Sequence, residues 1–210
     1  MNKVEIMNNT LKLMLTCIVI LLSSTLVCAQ DYETLLQRRA KERVGLMNDY
    51  ISYMADKSNS EDNRYFYRKK ALPLFIGKGY EYKENGVTKS GVTMQTTSIY
   101  RSTVNTSLMR DYFKRLIELK YTSVNVTSTQ IADIKVSDLK KVNSSDGKTL
   151  YMCTCQYVQY FKGEYGDGHI YGGDKTTKRI VCYIEVEDTE DGQEYVVLLG
   201  DVEAIHTERL

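Results

Sequence analysis

The residues that could do chemistry here are few. Cys153 and Cys155 stand one residue apart, and Cys182 follows 27 residues later. Thiolates gathered in this way could hold a metal, exchange disulfides or fill space. In a strand, Cys-x-Cys puts both thiols on one face, about 7 Å apart. Tyr151, Tyr157 and Phe161 share that face, and Ile180, Ile184 and Val186 share the face of Cys182. Both faces are apolar. The two strands follow one another, so Cys182 can come opposite or diagonal to Cys153 or Cys155, close enough for a disulfide. A zinc ion would need a fourth ligand, and the histidines stand at loop or chain ends. Buried thiols acting as small hydrophobes are the first expectation, a disulfide of Cys182 with Cys153 or Cys155 the second, and no metal is expected.

The other cluster lies in GEYGDGHIYGG. Its five glycines would let backbone approach a ligand closely. Tyr165, Asp167, His169 and Tyr171 could then form a small ligand-binding loop. Asp167-Gly168 lacks the alternating oxygen ligands of a calcium loop. No HExxH, GxSxG, phosphate-binding loop or dinucleotide fingerprint occurs, so no cofactor is expected.

These residues need elements to position them. The 210-residue chain begins with a polar, lysine-bearing start and the apolar run LKLMLTCIVILLSSTLVCAQ. Val27 and Ala29 are placed for cleavage before Gln30, so residues 1–29 read as a signal peptide. The run is short for a membrane span of about 20 residues. Cys28 raises lipidation, but Thr25-Leu26-Val27 fits a lipobox poorly. Residues 30–210 then read as one domain exported to the periplasm or the medium, with no span of its own. A formal net charge of +1 offers no field for nucleic acid. Export with three remaining cysteines allows at most one internal disulfide.

The spacing of Leu36, Ala40, Val44, Met47, Ile51 and Met54 predicts a helix over 32–57. A second helix starts at the Ser60 cap and stops at Pro73, the one proline in the chain. A hairpin turns at Asn85-Gly86. A third helix over 107–120 takes Thr106 or Ser107 as its cap. The rest reads as strands. TSVNVTSTQIADIKVSDLKKV forms one or two, TLYMCTCQYVQYF another, then a long loop KGEYGDGHIYGGDKTT, then KRIVCYIEVED and EYVVLLGDVEAI, with a bulge at Gly200. The 17 tyrosines suit sheet faces that are half wet.

The fold class is therefore α+β: three helices packed on a curved antiparallel sheet of four long strands plus a short hairpin. This element order resembles the NTF2-like (cystatin-like cone) superfamily over nearly all of residues 30–210. The stretches RKKALPLFIGKGYEY, GVTMQTTS and VLLGDVEAI resemble small exported Bacteroidetes proteins. The NTF2-like resemblance implies a pocket between helices and sheet that serves as an active site, a ligand site or plain core. Enzymes of that superfamily, such as ketosteroid isomerases, place an Asp inside it, where an apolar setting raises its pKa for proton transfer. Asp201, just after the suspected bulge, is the candidate for that catalytic role. Asp138 lies at a strand end and reads as a turn residue. The first functional expectation is a non-catalytic exported domain binding a small ligand, a peptide or an envelope partner. Alternatives are a pocket enzyme of isomerase, cyclase or hydratase type, and an assembly module forming homodimers.

Overall fold

The computed structural model describes residues 31–84, 86–98, 101–143, 149–166, 170–190 and 192–210. The expected signal segment 1–29 lies outside the described residues. The chain divides into two compact units, 1–38 and 39–210. Residues 31–38 are the described part of the first; they are helical, and Leu36 within them is fully buried.

Helix α1 covers 31–55. Its stripe Ala40, Val44, Met47, Ile51 and Met54 is fully buried, as the three-and-four spacing demands. Arg43 Nε donates to the Val197 carbonyl at 2.8 Å, and Lys41 Nζ to that of Ala132 at 3.2 Å. Helix α2, Glu61–Ala71, starts as expected. Ser60 Oγ accepts from Asn63 N at 3.3 Å, and Glu61 and Asp62 sit where the helix dipole favours anions. Pro73 then falls in a single 3-10 turn, Leu72–Leu74. No helix among the described residues is long and apolar enough to cross a membrane.

The hairpin β1, Tyr82–Glu84, and β2, Val87–Lys89, pairs antiparallel. Gly86 has φ 78°, the left-handed conformation that an Asn-Gly turn supplies. Two strands follow where one hairpin arm and a helix cap were expected: β3, Thr93–Ser98, and β4, Arg101–Leu108. Thr106 and Ser107 belong to β4. Helix α3 runs Met109–Ile117, and Leu108 precedes it with no side-chain cap. Thr and Ser favour caps and strands alike, and here the pairing Thr93↔Leu108 to Thr96↔Asn105 decides.

The second half departs most from expectation. The segment after α3 is neither one strand nor two. It breaks into β5, Ser123–Ser128, β6, Lys135–Val136, and β7, Lys140–Asn143. All three pair with the same neighbour, β8, Thr149–Glu164. The expected long loop is mostly strand, because β9 spans Ile170–Thr189 and pairs with β8 as far as Gly163↔Gly172. Glycine and polar residues imitate a loop, but two long strands supply the hydrogen bonds that hold them extended. The last strand, β10, covers Gly192–Arg209. Among the described residues, the long strands are β8, β9 and β10, where four were expected.

The main sheet runs β4-β3-β10-β9-β8-β5, with β6 and β7 also on β8. Its neighbours are antiparallel except β3 and β10, which meet in parallel at Met94↔Val202. Register shifts at Leu199/Val202 and Ala204/His206 bend β10. Gly200 sits in the first, as expected. A Cβ there would lie 2.8 Å from the Tyr183 ring, so only glycine permits the approach. The chain adopts the expected α+β class, with helices and a bent, mostly antiparallel sheet.

Candidate functional site

One face of the sheet changes character along its length. Cross-strand partners share a face. The pairs Cys153↔Cys182, Cys155↔Ile180, Tyr157↔Lys178, Gln159↔Thr176 and Phe161↔Asp174 therefore form one continuous double row. At one end the row is sulfur and hydrocarbon. From Lys178 onward it is polar.

The polar end floors a pocket of about 480 Å³, within the usual range for small-molecule sites of about 300–1,000 Å³. Gln159, Phe161, Asp174, Thr176 and Lys178 form the floor. Helix α3 supplies Tyr112, Arg115 and Leu116 as a wall, with Leu119 and Tyr121 just beyond it. Thr96, Thr97, Ser98 and Asn105 of β3 and β4 close the other side. The Thr97 hydroxyl bonds that of Thr207 on β10, which bonds Thr176 at 3.1 Å. Three strands are thereby tied across the pocket base.

Lys178 is the most consequential residue in this space. It is only 3% exposed. Its Nζ donates to the Gln95 carbonyl at 3.1 Å, contacts Met94 Sδ at 3.2 Å and lies 5.9 Å from the Tyr112 ring centroid. No carboxylate among the described residues is paired with it. Burial alone therefore acts on its charge, and lowers its pKa to about 7. At neutral pH this amine is poised between a cation and a neutral donor-acceptor. Gln159 adds a second inward group: its Nε2 is buried with no hydrogen-bond partner. The deep end of the pocket therefore holds one unfilled donor, Gln159 Nε2, beside an amine whose partners are the Gln95 carbonyl and Met94 Sδ.

The residues singled out from sequence fall elsewhere. Asp201 does not line the pocket. Its Oδ1 accepts from Thr93 N at 2.7 Å and Thr93 Oγ1 at 2.9 Å, and its Oδ2 lies 3.8 Å from Lys89 Nζ. Lys89 also pairs with Glu84, which accepts from the Tyr183 hydroxyl at 2.6 Å. This network pins the β1–β2 hairpin to the sheet. The hydrogen bonds from Lys89 and Tyr183 hold the Glu84 carboxyl below its usual range. Asp138 is exposed between β6 and β7. Asp167 and His169 lie outside the described residues, and Tyr171 belongs to β9. Tyr165 follows β8 with its ring 5.0 Å from that of Tyr121, at the pocket's edge.

At the apolar end, the register sets Cys182 opposite Cys153, and its Sγ lies 3.6 Å from that of Cys155. All three thiols are free and buried. Hydrogen bonds from Cys155 and then Cys182 lower the Cys153 thiol's pKa. The bond to Cys153 raises Cys155, and the same sulfur contacts, with burial, raise Cys182.

Sequence reading missed Lys178, Gln159 and Asp174. A signal for the lysine existed. Carrying the buried row Val186, Ile184, Cys182, Ile180 two residues further reaches Lys178, in strict alternation. Lys178 opens the expected strand KRIVCYIEVED without being carried into its buried row, while Asp174 lies in the segment 162–177 read as a loop.

No protein-family model matches the chain, and no curated protein does. Among solved structures, a protein from Novosphingobium aromaticivorans named as a candidate scytalone dehydratase aligns over 86% of this chain and 91% of its own, at 13% identity and TM-score 0.37. The Kfla4162 protein from Kribbella flavida aligns over 79% and 92%, at 13% identity and TM-score 0.31. Superpositions this loose carry no chemistry from one chain to the other.

Proposed function

We propose that this protein binds a small, flat carboxylic acid in the pocket floored by Lys178. The observation that carries this reading is a buried amine with no acid of its own, facing an open cavity beside the unpartnered Gln159 amide. An incoming carboxylate would supply the missing partner of Gln159 Nε2 and a counter-ion for Lys178. It would also restore the charge on Lys178, because an adjacent anion favours the protonated amine. Tyr112, Tyr121 and Phe161 offer ring faces and edges to an apolar body, and Arg115 adds a second cation on the pocket wall. The role is binding; the pocket provides no carboxylate dyad, and Asp201 serves the hairpin. The apolar run before Gln30 supports an exported site of action, which N-terminal mass analysis of the secreted chain would test.

Calorimetric titration with benzoate, naphthoate and cyclohexane carboxylate, against their amides, tests the proposal. Each acid should bind at least about tenfold more tightly than its amide, as expected for a charge-assisted hydrogen bond. At pH 8 binding should take up close to one proton, visible as a dependence of heat on buffer ionisation. Lys178→Met should remove both effects. Equal affinity for acids and amides, or acid binding that survives the substitution, would sink the proposal.

A second reading rests on the same amine. With a pKa of about 7, Lys178 has the poise of a general base. Turnover of a carbonyl substrate, lost in Lys178→Met and kept in Asp201→Asn, would favour the enzyme.

A further inference from the structure

The cysteine cluster at the other end of the row is a separate centre. We propose that Cys153, Cys155 and Cys182 form a three-sulfur site for one soft monovalent metal ion, cuprous copper being the natural candidate. The three Sγ atoms lie within 4.8 Å of one another, the nearest pair at 3.6 Å. An ion about 2.3 Å from each sulfur, at the centre of a triangle, sets the sulfurs about 4 Å apart. The observed spacing brackets that figure without moving the backbone. Three residues from two different strands converge here because Cys153↔Cys182 are register partners and Cys155 shares their face.

The surroundings select the ion. Thiolate favours soft metals. Among the described residues no histidine or carboxylate joins the group, so a divalent ion that seeks four ligands is poorly served. Cuprous copper, by contrast, is stable with three thiolate sulfurs and does not require a fourth ligand. Ile180, Ile184 and Leu199 around the site are almost fully buried, which excludes water and protects a cuprous ion from oxidation.

The ion has a way in. The strand edge beside β8 is interrupted where the thiols sit. Val136 of β6 pairs with Cys155, and β7 resumes only at Met152. Between them the pairing rests on Ser137, through Ser137 N to the Thr154 carbonyl at 2.9 Å and Thr154 N to Ser137 Oγ at 3.0 Å. A short, irregular edge is where a sheet opens locally.

The test is titration of the reduced full chain, carrying C17S and C28S, with cuprous ion against a chromophoric cuprous chelator. One equivalent should bind, with a sulfur-only first shell of three at about 2.3 Å by X-ray absorption. C153S, C155S and C182S should each weaken binding at least about tenfold. Circular dichroism and the carboxylate titration above report whether each variant is folded. A folded, reduced chain that binds less than about a fifth of an equivalent would overturn the site. So would a first shell containing nitrogen or oxygen, or unchanged affinity in the three folded variants.

Discussion

The two ends of the β8–β9 face share one backbone geometry and differ only in what hangs from it. At the Cys182 end, Ile180, Cys182 and Ile184 are fully buried and dry. At the Lys178 end, the same alternation delivers Lys178, Thr176 and Asp174 to a cavity. The switch takes two residues, from Ile180 to Lys178. The first end stabilises the fold through hydrocarbon removed from water; the second costs stability to keep an amine available. Residues poised for binding commonly sit at such a cost.

The comparison can be broken most forcefully at Lys178. Its folded pKa lies below its unfolded value, so the unfolded chain takes up the proton first as pH falls from above 10. Stability should therefore drop between about pH 10 and 7 and level off below. Lys178→Met should raise stability at pH 7 by on the order of 4 kcal/mol and flatten that slope, read by urea unfolding across pH. A loss of stability would mean the lysine belongs to the core after all. One register away, Ile180→Ala should do the reverse and cost about 3 kcal/mol, because it leaves a cavity in a closed region. If the loss were below about 1 kcal/mol, the dry end would be softer than its burial indicates. Gln159→Leu should be neutral or stabilising by about 1 kcal/mol, since its buried amide donor has no partner to lose. It should still weaken carboxylate binding. The smallest effect belongs to a control off this face. Asp201→Asn should cost about 1 kcal/mol or less and leave carboxylate affinity unchanged, loosening the hairpin instead. Faster hydrogen exchange confined to residues 82–93 would show it.

Much of the fold was legible in the sequence. The stripe from Ala40 to Met54, the Ser60 cap, the turn at Gly86 and the bulge at Gly200 are local signals that the tertiary structure left intact. The apolar ladder around Cys153, Cys155 and Cys182 was also readable from alternation. The pocket was not. A strand face that lines a polar cavity carries Asp, Thr and Lys where a core strand carries Ile and Val, so 174–177 imitates a loop and Lys178 looks like a strand end. Its extended form comes from β8 and β10 on either side, which no short window contains. The edge segment erred in the opposite sense. Val124, Val126 and Ile134 are buried like strand residues, yet a 3-10 turn at Ile131–Asp133 interrupts the run. Asp201 was chosen because a bulge can re-aim a side chain, and it does, toward Thr93.

The parallel seam between β3 and β10 has a consequence for the order of events in time. Apart from Met94↔Val202, it is joined by side chains: Gln95 Oε1 accepts from Ala204 N at 3.1 Å, and Thr97 meets Thr207. The partners stand more than a hundred residues apart. A chain emerging N-terminus first, from a ribosome or through a translocation channel, exposes β3 long before β10 exists. Contacts this distant in sequence form slowly. The pocket wall is therefore among the last things made, and an incomplete chain of this protein has helices but nowhere to hold a ligand.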